Sequence, residues 1–336
     1  MQLKDLTFSD LFIGPSPEWC WFRETPGSPV SLPIPEAFAE EVKLLRAHLD
    51  TLDVGKKDQR TNWPPHDGER LRVKRKLVDN GVTLFIIRRF KLVDLTLGKT
   101  GLQASVINVL LSDHPRLRSG VVGFFGPPGA GKSTTSAAFM LDRLRQYGGA
   151  AWTIENPIEQ SLQGPHGKGW CYQIEVDEDE SIGDQIRELY RAVPNILLIG
   201  EVRDSKTTRE VIRAAGSGYL VIITYHGNDL PSALSQFVRQ ATDGNGSATS
   251  ASVADVLRAS IYLELHTLPI EGSVRRTSLV GEQSTGTPPQ ALTAKPLFFL
   301  AKEGGPAAAV RDGNYHLLEN EIDRQRRALM ANNLTF

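Results

Sequence analysis

The chain has 336 residues, 40% of them hydrophobic and 23% charged, which is enough for about two domains with hydrophobic cores. Its net charge of −1 excludes a strong overall basic field for nucleic acid and leaves room only for a local basic patch. Two widely spaced cysteines, Cys20 and Cys171, argue against a disulfide framework or a cysteine zinc site. Without a signal-peptide pattern or an apolar run of membrane length, we expect a soluble cytoplasmic protein that reaches a membrane only by docking.

The first hundred residues mix helical and strand-like patterns. Apolar residues at roughly helical spacing predict a helix over residues 37–49. Residues 70–76 and 82–90 read as strands on either side of an Asp-Asn-Gly turn at residues 79–81, which predicts a hairpin. This part of the chain is therefore expected to be a small α+β domain.

Apolar strands and amphipathic helices alternate between about residues 104 and 268, a pattern typical of a parallel α/β sheet. The predicted strands are residues 121–125, 150–154, 195–200 and 219–224. Helices are predicted over residues 181–193, 205–215 and 230–241. Ser181 and Ser205 are candidate N-caps, because a serine hydroxyl accepts hydrogen bonds from the free amides of a helix start.

The last part of the chain is less regular. Residues 271–289 are rich in Gly, Ser, Thr and Pro and predict an irregular loop. The apolar run at residues 297–300 is either a buried strand or a docking segment, and we favour burial. Residues 317–329 predict a charged helix. With a linker near residues 92–103, the expected domains are 1–97 and 98–270, and 271–336 should pack on the second domain.

A complete G-x-x-x-x-G-K-[ST] pattern follows the apolar strand at residues 121–125 and opens a helix. Its residues, with the threonine that follows, are Gly126, Pro127, Pro128, Gly129, Ala130, Gly131, Lys132, Ser133 and Thr134. Glycines let the backbone wrap a phosphate chain, and the helix start points free N–H groups at it. Lys132 would reach the β- and γ-phosphates of ATP, and the Ser133 hydroxyl would bind Mg²⁺. The alternative is a Gly/Pro turn with a chance lysine, which the flanking strand and helix disfavour.

Acidic residues follow the second strand, in the sequence T-I-E-N-P-I-E. Glu155 and Glu159 leave the strand where open α/β sheets build their sites. They could hold Mg²⁺ through water or orient an attacking water molecule. A solvated acidic turn explains this motif equally well when it is taken alone.

The third motif, residues 195–204, is an apolar strand that ends in Gly-Glu-Val-Arg-Asp. This Walker B arrangement puts a carboxylate next to the metal ion and the γ-phosphate. We expect Glu201 to orient and deprotonate water, and we place Arg203 among the catalytic candidates. The candidate metal ligands are Ser133, Glu159 and Glu201. A strand that ends in a capping acid is the alternative, and the phosphate loop weakens it.

The fourth motif places His226 at the end of the strand at residues 219–224. A lone histidine at a strand end is most often structural. Here its position suggests a sensor near the γ-phosphate that passes the nucleotide state to the next helix.

These four motifs, in this order, resemble those of the type II/type IV secretion ATPase superfamily, close to pilus-retraction ATPases and the motor ATPases of conjugation and type IVB secretion. Those proteins carry a phosphate loop, an acidic box such as T-I-E-D-P-I-E, a Walker B such as L-x-G-E-x-R-D, and a His box. The likeness spans roughly residues 5–270. It includes a small-residue turn at 214–221, an L-R-A-x-I helix at 253–265 and a Ser-Asp-Leu opening at 9–11, and residues 70–73 and 87–90 resemble arginine-bearing strands of the first domain.

The resemblance implies a RecA-like P-loop ATPase domain preceded by a smaller PAS-like α+β domain. It also implies a homohexameric ring that uses ATP and Mg²⁺, peripheral at the inner membrane, with inner-membrane components of a secretion or pilus machine as partners. Direct nucleic-acid binding is not expected. Arginines of the first domain would reach a nucleotide at the seam between subunits, and the candidates are Arg70, Arg72, Arg88 and Arg89. For any one of them, a solvated basic strand face is the alternative.

Departures from the family pattern bear on the details. Asn156 stands where many relatives have Asp, and the His box reads Y-H-G-N-D rather than H-T-N-S-A. The chain lacks both the tetracysteine module of pilus-extension ATPases and the A-I-R-N-L-I signature of retraction ATPases. We therefore expect a secretion or conjugation motor, with pilus retraction as the nearest alternative. A RecA-like nucleic-acid motor and a non-hydrolysing nucleotide-gated scaffold are the further alternatives.

Overall fold

The computed structural model describes residues 2–24, 30–52, 58–66, 68–89, 95–244, 248–267, 290–301 and 305–331. The chain divides into two compact units, Met1–Leu92 and Val93–Phe336. Leu95 and Leu97, which the expected boundary at residue 97 gave to the first domain, are buried in the core of the second unit. No helix in the described ranges is both long and apolar enough to span a membrane.

The first unit is a six-stranded antiparallel sheet with one helix. Its strands lie in the order β3-β2-β1-β6-β5-β4. Their bounds are β1 Asp10–Ile13, β2 Trp21–Arg23, β3 Leu32–Pro33, β4 Asp58–Trp63, β5 Glu69–Leu77 and β6 Thr83–Arg89, and the helix α1 is Ala39–Asp50. The predicted helix and hairpin are thus confirmed.

Alternation along the strands sends one side of this sheet into the core. Leu71 and Val73 on β5, and Phe85 and Ile87 on β6, are almost completely buried. Leu45 of α1 is fully buried in the same cluster. Because successive side chains of a strand point to opposite faces, the residues between these positions lie on the face away from that core.

The second unit is built on an eight-stranded sheet in the order β14-β13-β7-β12-β11-β8-β10-β9. The strands are β7 Gly120–Gly126, β8 Gly149–Glu155, β9 Gly164–His166, β10 Gly169–Glu175, β11 Ile196–Ile199, β12 Leu220–His226, β13 Leu257–Thr267 and β14 Gln290–Phe298. Neighbouring strands from β13 to β10 are parallel, while β14 and β9 are antiparallel edge strands. This is the mixed α/β fold that the alternating pattern predicted.

Helices cover both faces of this sheet. They are α2 Ala104–Leu110, α3 Lys132–Tyr147, α4 Ile182–Leu189, α5 Ser205–Gly216, α6 Leu230–Thr242, α7 Ser250–Val256, α8 Gly305–Arg311 and α9 Leu318–Met330. One hydrophobic cluster joins α4, α5, α6, α7 and α8 to the sheet, the other joins α2 and α3, and α9 contributes residues to both. The strands are buried on both faces, which explains why β7 and β11 read as continuous apolar runs.

Three local predictions need correction. The helix expected over 253–265 ends at Val256, and the chain continues as β13. Residues 257–263 pair with β7 and β14 and are mostly buried on both faces, so their apolar residues show no helical stripe. Asp204, not Ser205, caps α5 by accepting a hydrogen bond from the Thr207 amide. Ser181 stands at the N-cap position of α4, but its side chain makes no capping hydrogen bond.

The C-terminal part completes the second unit. Residues 297–300 are buried, with Leu297 and Phe298 in β14, so the expected burial is confirmed. The predicted C-terminal helix is α9. The loop predicted for residues 271–289 lies outside the described residues. The strands β9 and β10 were not predicted.

Candidate functional site

The glycine-rich loop joins the end of β7 to the start of α3. Gly126 has a φ of +145°, and a Cβ there would lie 2.4 Å from the carbonyl oxygen of Leu263 on β13. Gly131, the residue before α3, has a φ of +82°. Both positions therefore favour glycine, which lets the chain turn tightly from a buried strand into a helix. The first amides of α3 have no partner within the helix, as at any helix start, and are therefore able to bind a ligand at this turn.

Lys132 turns back into the loop. Its side chain is buried, with 7% exposed, and Nζ donates to the carbonyl oxygens of Gly126 and Pro127 at 2.9 Å each. Nζ also lies 3.2 Å from Nδ1 of His226. Burial lowers the pKa of Lys132, while the nearby carboxylates of Glu201 and Glu159 oppose that shift. The loop thus carries a buried ammonium group that faces two acids.

A continuous chain of polar contacts leads from this lysine to the end of β11. Nε2 of His226 lies 2.7 Å from Oε1 of Glu201. Nη2 of Arg203 donates to Oε2 of the same carboxylate at 2.6 Å. Because Lys132 can only donate, the arrangement fits a histidine that accepts at Nδ1 and donates at Nε2. The contact chain Lys132–His226–Glu201–Arg203 therefore joins three of the four sequence motifs.

Sheet topology explains this convergence. In the parallel pair β12–β7, His226 stands opposite Gly126. β11 lies on the other side of β12, and Glu201 follows it by two residues. Carboxyl ends of parallel strands meet at one edge of the sheet, so motifs far apart in sequence come together there.

Glu155 and Glu159 do not join this contact chain directly. Glu155 is buried, and its Oε1 accepts hydrogen bonds from the Thr153 hydroxyl at 2.6 Å and from Nε2 of Gln173 at 3.0 Å. Burial raises the pKa of Glu155, and these two hydrogen bonds offset part of that effect. Glu159 is exposed, and its backbone amide also bonds to Glu155.

One member of the site, Asp179, was not predicted from the sequence. It lies in a short 3₁₀ turn between β10 and α4. Nη1 of Arg203 donates to its Oδ2 at 2.6 Å, and Nδ2 of Asn156 donates to its Oδ1 at 2.9 Å. Asp179 belongs to no recognisable motif, so only its contacts reveal it. Gln173, the partner of Glu155, was missed for the same reason.

An open groove of about 550 Å³ borders Glu201, Arg203 and His226. Its far side is formed by the loop after β12 and the first turns of α6. At one end, Gln240 donates from Nε2 to the backbone carbonyl of Arg203 at 3.1 Å and accepts from the Tyr225 hydroxyl at 3.0 Å. The helix α6 is thereby tied to the loop that carries Arg203.

Hard oxygen donors stand near the loop. Ser133 is half-buried in the first turn of α3, and the carboxylate of Glu201 is 21% exposed. Within the described ranges, no group of three or more His, Cys, Asp or Glu side chains is arranged to hold a metal ion by itself. That is compatible with Mg²⁺, which usually takes one or two protein oxygens and fills its shell with waters and substrate phosphates.

The first-domain arginines belong to the first unit, and their surroundings there differ. Arg88 donates from Nε and Nη2 to Oδ1 of buried Asp10, at 2.9 and 2.7 Å. Arg89 donates to the carbonyl oxygens of Leu6 and Leu3 and pairs with Glu69. Burial lowers the pKa of Arg89. The side chain of Arg70 lies outside the described residues.

Arg72 belongs to a row of charged residues that crosses the sheet of the first unit. Directly opposite pairs across neighbouring strands link, in order, Arg60, Arg72, Arg88, Asp10 and Arg23. The row alternates with core residues such as Leu71 and Ile87, so it lies on the face away from α1. We call it the arginine row. The row holds four arginines and one carboxylate, that of Asp10.

Fold and site together define a mixed α/β protein in which a glycine-rich loop and two acidic strand ends meet at one edge of a parallel sheet. The chain belongs to the type II/IV secretion system protein family, whose model matches residues 80–260, more than half of its length. The resemblance drawn from the four motifs is thereby confirmed.

Similar proteins agree with this membership. The type II secretion system protein E of Klebsiella pneumoniae is 34% identical over 174 residues, which are 52% of this chain and 31% of that protein. The chain spans about a third of the length of the first curated relatives that it matches.

Two solved structures share the fold. The pilus retraction motor PilT, solved with bound ADP, superposes with a TM-score of 0.70 at 21% identity, over 95% of this chain and 89% of PilT. The Legionella pneumophila ATPase DotB gives a TM-score of 0.68 at 19% identity, over 95% of this chain and 85% of DotB.

Proposed function

We propose that the chain is a Mg²⁺-dependent ATPase that hydrolyses ATP to ADP and phosphate and works as a homohexameric motor. It would power type IV secretion, conjugation or type IV pilus dynamics, at the cytoplasmic face of the inner membrane and docked on its components. One observation carries the enzymatic part of this proposal. The contact chain Lys132–His226–Glu201–Arg203 holds a carboxylate at the mouth of a glycine-rich loop, as hydrolysis of a bound triphosphate requires.

Hydrolysis of ATP requires of the protein mainly that it positions the reacting groups and stabilises the charge on the phosphates. The loop amides and Lys132 would bind the β- and γ-phosphates, and Glu201 would orient water and accept its proton as the oxygen attacks the γ-phosphorus. The bond between that phosphorus and the bridging oxygen then breaks, and ADP leaves. His226 bonds to both Lys132 and Glu201. A displacement of the Lys132 side chain would therefore shift the Glu201 carboxylate. This supports a sensor role for His226.

Ser133, Glu201 and Glu159 would hold Mg²⁺, the first two beside the loop and Glu159 from its exposed position. The ion, when bound, supplies charge neutralisation at the phosphates. Glu155 is the weaker candidate for direct contact, since it is buried and bonded to Thr153 and Gln173. We assign it the role of fixing the acidic segment, to which it is tied through the Glu159 amide.

The arginine row supports a shared site in a ring. Arg60, Arg72 and Arg88 stand directly opposite one another on three neighbouring strands, which concentrates positive charge on one face of the first unit. A guanidinium group is suited to planar, bidentate contact with phosphate. We therefore favour Arg72 as the residue that reaches a neighbouring subunit's nucleotide.

Family membership favours secretion or pilus machinery over a RecA-like nucleic-acid motor. The relatives bear names of both kinds, a type II secretion protein and a pilus retraction motor, so the particular machine stays open between secretion, conjugation and retraction. Strongly salt-dependent stimulation of ATP turnover by DNA would favour the nucleic-acid motor instead.

ATP turnover by the purified chain with Mg²⁺ tests the proposal. Glu201→Gln should keep nucleotide affinity and lower kcat by about 10²–10⁴-fold, because it removes the group that accepts the proton. Lys132→Ala should lose nucleotide binding itself. Glu188→Gln, on the exposed side of α4, is the matched control and should turn over like the wild type. A wild type that binds ATP without hydrolysing it would leave the nucleotide-gated scaffold as the function.

A further inference from the structure

Asp179 occupies a position that ties three strand ends together. Asn156 follows β8, Asp179 follows β10, and Arg203 follows β11. These three strands are neighbours in the sheet, with β8 between the other two. Each oxygen of the Asp179 carboxylate has its own donor, the Arg203 guanidinium on one side and the Asn156 amide on the other.

Arg203 is the bridge between Asp179 and the catalytic carboxylate. Its two terminal nitrogens point to different acids, one to Asp179 Oδ2 and one to Glu201 Oε2, each at 2.6 Å. These two contacts raise the pKa of Arg203, with the Glu201 hydrogen bond as the larger cause. If Asp179 were absent, both nitrogens would be free to form a forked pair with Glu201, which would draw that carboxylate away from an attacking water.

The identity of residue 156 fits this role. Its Nδ2 donates to Asp179 Oδ1 at 2.9 Å. An aspartate at position 156 cannot donate, and it would bring a second carboxylate oxygen against the first, which disfavours ionisation of both. The asparagine that stands in place of the family's aspartate therefore has a carboxylate as its hydrogen-bond partner, 23 residues further along the chain.

We propose that Asp179 is a positioning residue for hydrolysis, which holds Arg203 so that Glu201 keeps its orientation, and that Asn156 and Asp179 form a matched amide–carboxylate pair. This inference rests on the proposed ATPase function. The pair places a carboxylate on the segment between β10 and α4, within hydrogen-bond distance of the acidic box.

The test is a charge swap within the full chain. Asp179→Asn and Asn156→Asp are made singly and together, and kcat, the ATP KM and the affinity for ADP are measured for each. Each single variant should lose about ten- to a hundredfold in kcat, the range that a hydrogen bond to a charged group represents, with ADP affinity within about twofold. The double variant restores an amide–carboxylate pair. Its kcat should be at least about tenfold higher than that of the less active single variant.

Controls separate positioning from folding. Asp184→Asn removes a carboxylate from α4 that pairs with Lys206 at 2.7 Å but does not touch Arg203, and it should leave kcat unchanged. Thermal unfolding of every variant shows whether the chain remains folded, and Arg203→Lys, which keeps the charge but not the two-pronged contact, gives a second measurement if Asp179→Asn unfolds.

Either of two results would overturn the inference. One is a wild-type kcat in Asp179→Asn. The other is a double variant whose fold-loss in kcat equals or exceeds the product of the fold-losses of the two single variants. Both leave the proposed function intact. A wild type without turnover would reject that function and the positioning role with it.

Discussion

At the scale of single residues, His226 links the two sides of the site. It contacts Lys132 through Nδ1 and Glu201 through Nε2. We expect His226→Ala to lower kcat about ten- to a hundredfold, with a smaller change in nucleotide affinity, because it breaks both contacts without removing either partner. Steady-state turnover with ADP binding on the same samples measures this. His316→Ala, on the exposed surface, is the control, and equal kcat in the two variants would exclude the linking role.

The burial of Glu155 predicts that its substitution changes turnover and the free energy of unfolding in opposite directions. Burial raises its pKa above that of the unfolded chain, so the folded state binds this proton more tightly and ionisation at neutral pH lowers the free energy of unfolding. Glu155→Gln keeps an oxygen for Thr153 and Gln173 and removes the charge. We expect it to raise the free energy of unfolding at neutral pH, and to lower turnover because a neutral amide binds the Glu159 backbone N–H more weakly than a carboxylate does.

The gain in stability should shrink as the pH falls through the raised folded pKa of Glu155, and vanish below the ordinary glutamate pKa of about 4.3, where both states are protonated. Denaturant unfolding at a series of pH values measures this gain in stability. Glu319→Gln, on the exposed side of α9, is the control. A variant less stable than the wild type at neutral pH would contradict this account of Glu155.

The residues of the site differ in how visible they were in the sequence. Lys132, Glu201 and His226 follow buried strands within short patterns, so parallel-sheet topology alone predicts that they converge. Asp179 and Gln173 reach the same place from a segment without a motif. No local pattern indicates which acidic residue between β10 and α4 contacts an arginine 24 residues away, because that contact depends on how the strands are ordered in the sheet.

At the scale of secondary-structure elements, one side chain fastens α9 to the sheet. Gln325 is buried, accepts from the Phe298 amide at 2.7 Å and donates to the Phe298 carbonyl at 3.0 Å. Gln325→Ala leaves two buried backbone groups at the end of β14 without these bonds, and we expect it to lower the free energy of unfolding by about 3 kcal/mol.

Denaturant unfolding tests this attachment of α9. Asn320→Ala, on the exposed side of the same helix, should change the free energy of unfolding by less than about 0.5 kcal/mol. Equal stability of the two variants would mean that packing alone holds α9 in place.

Elements with a clear period were predictable and those without one were not. α5 and α6 carry a buried stripe next to a polar face, and each lies where the sequence predicted a helix. The first part of β13, residues 257–263, is mostly buried on both faces, so its apolar run fits a helix or a strand, and the family resemblance favoured the helix, which is wrong. β9 has three residues, too few for a period to be read.

At the scale of the whole molecule, the account depends on the arginine row. Arg88→Ala would leave the buried Asp10 carboxylate without its guanidinium partner and should destabilise the first unit. Arg72→Ala is therefore the sharper probe of a shared site. Lys76→Ala, on the same strand and exposed, is its control.

The most direct measurement is light-scattering mass together with Mg²⁺-dependent ATP turnover on the same purified sample, for the wild type, Arg72→Ala and Lys76→Ala. We expect a hexamer that hydrolyses ATP, Arg72→Ala with unchanged mass and a turnover lowered about 10³-fold or more, as for an arginine that acts on phosphoryl transfer, and Lys76→Ala like the wild type. A monomer that hydrolyses ATP equally well in all three would contradict the shared-site motor.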